Sequence, residues 1–199
     1  MKIDIINAGY VDCRSAFYSV QDVLNNSNST FTIGINKLIG EIDSGIWAVS
    51  YLLSMYKYRP KDFILFEQPR AIIDNEYVSL NELSKLSCYM DKIYPLFSSN
   101  NSVKKLIKKG LSESKLNFTP NDIKDMFYIS DDRFERTLNG VGNEIFKAMS
   151  AIAFAYDKQI FCFPWLSKMR FDAYHENLTG LLEILESLKK IVIIPVGAS

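Results

Sequence analysis

The stretch Gly40-Glu41-Ile42-Asp43-Ser44-Gly45-Ile46-Trp47-Ala48 constrains this chain more than any other. It follows the apolar run from Phe31 to Ile39, which reads as a strand region. It precedes Val49-Ser50-Tyr51-Leu52-Leu53-Ser54-Met55, which reads as a helix running from about Ile46 to Tyr56. Strand, glycine loop and helix form the frame in which G-x-x-x-x-G-K-[ST] loops bind phosphate. There the glycines turn backbone N–H groups toward the anion, the lysine neutralises charge and the hydroxyl holds Mg²⁺. Gly40 and Gly45 occupy the glycine positions. Ile46 stands at the lysine position and Trp47 at the hydroxyl position, so the frame is present without the cation or the metal hydroxyl.

The flanking pattern is that of one α/β domain. Met1 to Tyr10 sets Ile3 and Ile5 against polar neighbours and reads as a first strand ending near Gly9, and Asn25 to Thr30 reads as a loop. Asp62 to Glu67 and Arg70 to Asp74 read as short strands about Gln68-Pro69. Ser79, three residues before Glu82, has the form of a capping box that opens a helix; Cys88-Tyr89-Met90 then reads as a strand. From Asn101 to Leu111, Val103, Leu106, Ile107 and Leu111 share one helical face. Lys104, Lys105, Lys108 and Lys109 lie on the other, a solvated face with contact to acidic lipid or an acidic partner as its alternative.

A further helix is expected after Thr119, and the stretch Ser130 to Arg136 reads as a polar connection. Helical spacing resumes at Ile145, Met149, Ile152 and Ala153. Ile160-Phe161-Cys162-Phe163 and Ile191-Val192-Ile193-Ile194 are apolar runs of the kind that form buried parallel strands. They are ended by Pro164 and Pro195 and separated by the amphipathic Leu178, Leu181, Leu182, Leu185 and Leu188. Helix and buried strand in alternation predict α/β layering.

Charge and cysteine usage exclude several function classes. With 23 basic and 23 acidic residues the net charge is zero, so no global field draws in nucleic acid, and a nucleic-acid partner is not expected. Cys13, Cys88 and Cys162 are widely spaced and odd in number, without C-x-x-C spacing, which predicts reduced, buried thiols and no metal site. There is no secretory leader pattern and no run of 18 apolar residues, so a cytoplasmic protein is expected.

In the order of these pieces the chain resembles the nucleotide-binding domain of ABC transporters, across almost its whole length. The resemblance implies a P-loop NTPase-like mixed sheet with an N-terminal antiparallel part, one domain over residues 1–199, and a small helical subdomain inserted at about 92–137. It places Tyr10 where an aromatic stacks on adenine. Gly40, Ser44, Gly45, Ile46 and Trp47 fall on the phosphate loop, and Asp91 on the position that senses the membrane subunit. Leu138, Asn139, Gly140, Val141 and Gly142 match the L-S-G-G-Q signature, whose serine and glycines contact the γ-phosphate held by the opposite subunit.

The departures from the family lie at the chemistry. Pro164 and Trp165 stand where the Mg²⁺ aspartate and the water-polarising glutamate belong. The switch histidine would fall between Pro195 and Gly197, whereas His175, the one histidine, precedes that strand. Phosphoryl transfer needs metal, positioned charge and an oriented water. No catalytic residue and no cofactor are therefore expected, ATP and Mg²⁺ being those the resemblance would bring, and the site should be filled and apolar.

The resemblance and its departures together imply a catalytically degenerate ABC-type subunit. It would work as a homodimer or as a heterodimer with an ABC-type ATPase subunit, or against a transporter's membrane subunit at the inner face of the membrane. The alternatives are a free-standing scaffold or immunity protein of a peptide-export cluster, and a hydrolase using altered ligands such as Asp43, Asp91 or Glu144.

Overall fold

The computed structural model describes residues 1–8, 11–13, 27–41, 46–58, 63–65, 69–97, 100–138, 144–173 and 175–198. Its first sheet is antiparallel and has the strand order β3-β1-β6-β7. These strands are β1 (Lys2–Ala8), β3 (Ser27–Thr32), β6 (Arg70–Ile73) and β7 (Glu76–Val78). Ile3, Ile5, Phe31 and Ala71 are its buried side chains, as period-two alternation requires.

The first sheet and its exit differ from expectation in three places. Ser27–Thr30 is strand and not loop. Its hydroxyls suit a sheet edge, where Thr30 Oγ1 donates to Asp4 Oδ1 at 2.6 Å. The strand region from Phe31 to Ile39 is two strands in different sheets, β3 and β4 (Gly34–Ile39), with the corner at Gly34, whose φ is +101°. Asn36 locks this corner by donating to the Thr32 and Gly34 carbonyls while Thr32 N–H donates to its Oδ1. Finally, β7 forms a hairpin with β6 through Asp74-Asn75, both at positive φ, the geometry of a two-residue hairpin turn.

The second sheet is parallel, with the order β4-β10-β9-β8, where β8 is Ser87–Tyr89, β9 is Ile160–Cys162 and β10 is Ile191–Val196. β8, β9 and β10 bury every residue, the pattern of strands covered on both faces. Pro195 lies inside β10 and does not end it. Its missing N–H faces the β9 side, where the chain has already turned away at Pro164, and its carbonyl accepts from Leu166 N–H at 3.0 Å. A two-stranded ribbon pairs β2 (Val11–Cys13) with β5 (Phe63–Leu65).

The helix α1 (Ile46–Met55) lies across β8, β9 and β10, burying every residue from Trp47 onward. A short 3₁₀ turn at Tyr56–Tyr58 follows it. α2 (Leu80–Leu86) opens on a complete capping box between Ser79 and Glu82. α3 (Val103–Glu113) buries Val103, Leu106, Ile107 and Gly110 and exposes its four expected lysines. α4 (Pro120–Met126) starts at the Thr119 cap. The polar stretch after it contains a further short helix, α5 (Asp131–Glu135), because Ser130 caps it. α3, α4 and α6 (Ile145–Ala155) pack against one another, and α5 packs on α3. α7 (Lys168–Ala173) and α8 (His175–Ser187) complete the helices, α8 packing on β10 and β4. No helix among the described residues is long and apolar enough to cross a membrane.

Candidate functional site

The carboxyl ends of the parallel strands bring Gly40, Asp91, Pro164-Trp165 and Gly197 to one edge of the sheet, the place where open α/β sheets bind ligands. Gly40 is tied to its neighbour strand by its N–H, which donates to the Val196 carbonyl at 3.0 Å. Its own carbonyl accepts from Trp165 Nε1 at 3.1 Å. The segment after β9 is therefore folded over the start of the glycine loop. Leu166 N–H and Gly197 N–H, donating to the Pro195 and Leu166 carbonyls at 3.0 and 2.9 Å, stitch that segment to the end of β10. Gly197 leaves little room for a side chain: a Cβ there would stand 3.2 Å from the Trp165 ring and 3.1 Å from Lys168 N, so the neighbours would have to give by a few tenths of an ångström.

The first turn of α1 supplies bulk where a phosphate loop supplies charge. Ile46 is half-buried and Trp47 is buried, and the Trp47 ring meets Tyr51 edge-on at 6.0 Å. Tyr51 in turn meets Tyr89 at the end of β8 at 5.5 Å, so a row of rings runs from the first turn of α1 to the end of β8. One turn further, Ser50 Oγ donates to the Phe163 carbonyl at 2.6 Å and joins α1 to the end of β9. Below lie two buried thiols. Burial pushes Cys162 up to about 12 against the opposing hydroxyls of Ser54 and Ser50, and pushes Cys88 well above the ordinary thiol range. Both stay protonated at neutral pH and are poor nucleophiles.

Of the residues singled out in the sequence, the structure joins Gly40 to Trp165 directly and places Ile46 and Trp47 at the start of α1. Pro164 is half-buried beside Trp165. Asp91 closes a tight turn after β8, its Oδ1 accepting from Ile93 N–H at 3.1 Å and its carbonyl from Tyr94 N–H at 3.0 Å. Leu138 is buried in the core, next to the bridge between Ser102 and Thr137. Tyr10, Asp43, Ser44, Gly45, Asn139, Gly140, Val141 and Gly142 lie outside the described residues. Glu144 accepts from Ser130 Oγ at 2.7 Å and so serves the cap of α5. Sequence reasoning missed Ser50 and the indole contact. The signal was there, since Pro-Trp directly after a buried strand leaves the ring at the strand's carboxyl end.

No protein-family model matches the sequence, and no curated protein matches it either. Solved structures do match. An ABC transporter ATP-binding protein from Pyrococcus furiosus superposes with a TM-score of 0.65 at 18% identity, covering 98% of this chain and 90% of that one. A dimeric ATP-binding cassette in a post-hydrolysis state, bound to ADP and Pi, superposes with a TM-score of 0.64 at 12% identity, covering 99% and 88%. The fold is that of an ABC transporter ATP-binding domain. Within this ABC-type fold the antiparallel sheet, the parallel sheet and the glycine loop after β4 stand in the order expected from the sequence.

Proposed function

We propose that this chain is a non-hydrolysing ABC-type subunit that acts as a partner or regulator within a transporter or export complex. The observation that carries the reading is the Trp165 indole bonded to the Gly40 carbonyl at 3.1 Å, at a position where the fold's catalytic members need an acid. Ile46 and Trp47 at the start of α1 support it, because neither offers a cation or a metal-binding hydroxyl to a phosphate. The same surface that would hold Mg-ATP in a competent site is in this chain a packed joint between β4, β9 and β10.

Its work is then interaction. In a heterodimer, the signature-like residues Asn139, Gly140 and Gly142 would serve the ATP held by a competent subunit, while this chain holds none of its own. The test is steady-state phosphate release from Mg-ATP by the purified chain. Release at the background rate is expected, and a saturable rate above background overturns the reading. In a reconstituted complex, Gly140→Trp should lower the partner's ATPase rate. An unchanged rate would remove the trans-acting role.

A further inference from the structure

We draw no further inference here: the strongest candidate, the cleft of about 340 Å³ between the β6–β7 hairpin and the start of α2, lined among others by Tyr56, Arg70 and Tyr77, carries nothing because nothing in the structure shows what would occupy it.

Discussion

Truncating Trp165 to alanine removes both the ring that packs against Gly197 and the N–H that bonds Gly40. A fully buried tryptophan cut to alanine costs about 3–5 kcal/mol. Trp165 is half-buried, so its packing share is about 2 kcal/mol. The bond to the Gly40 carbonyl adds about 1 kcal/mol, because that oxygen regains water only in part. The expected loss is therefore about 3 kcal/mol, which for a domain of this size lowers the melting temperature by roughly 6–12 °C. Urea denaturation followed by circular dichroism measures it. Trp165→Phe keeps the ring and should lose only the hydrogen-bond share, about 1 kcal/mol. A loss within about 0.5 kcal/mol for Trp165→Ala, the range of ordinary surface substitutions, would show that the indole is not packed against Gly40 and Gly197 and refute the reasoning. The variant should gain no nucleotide binding either, since opening the cradle does not supply the cation that Ile46 lacks.

Gly34→Ala should cost about 1–3 kcal/mol from backbone strain alone, because φ there is +101°. Adding Glu186→Ala relieves the side-chain contact but should recover little, and full recovery in a chemical denaturation series would place the cost in the contact instead. Ser79→Ala should cost about 1 kcal/mol by removing the cap of α2, read by the urea midpoint, with Ser79→Asp recovering most of it. Acid should destabilise the fold through four carboxylates held below their ordinary values. The Thr30 hydroxyl and then Lys2 act on Asp4, Ser79 acts on Glu82, the Thr119 cap acts on Asp122, and Lys124 acts on Asp131. Because the unfolded chain takes up these protons first, the stability they contribute is whole above their ordinary values and is lost as pH falls through the folded ones. The urea midpoint should drop from about pH 4.5 downward, and Glu82→Gln should flatten that slope.

Much of the fold was legible because it rests on local rules that burial reinforces. The Ser79 and Thr119 caps sit at the helix starts that their spacing indicates. Ile160–Cys162 and Ile191–Val196 are continuous apolar runs because both faces of each strand are covered. The misreadings occur where partners distant in sequence decide. Ser27–Thr32 has a loop composition and becomes a strand because β1 offers it a ladder, with Ile3 opposite Phe31. The division of Phe31–Ile39 turns on one glycine and on the Asn36 side chain, which periodicity does not report. Pro195 stays inside a strand because β9 has ended beside it, a fact of sheet order. At the candidate site the residue types at Ile46, Trp47, Pro164 and Trp165 were readable as departures from the family's pattern. That Trp165 reaches back across 125 positions to bond Gly40 was not, because it depends on β9 and β4 lying in one sheet on either side of β10.

If this ABC-type fold has exchanged its nucleotide site for a packed joint, Mg-ATP finds no place on it. Calorimetric titration of the purified chain with Mg-ATP, at protein concentrations high enough to register millimolar affinity, tests this most directly. Heats of dilution only are expected, for the natural chain and for Trp165→Ala alike. Saturable binding with one nucleotide per chain would contradict the exchange.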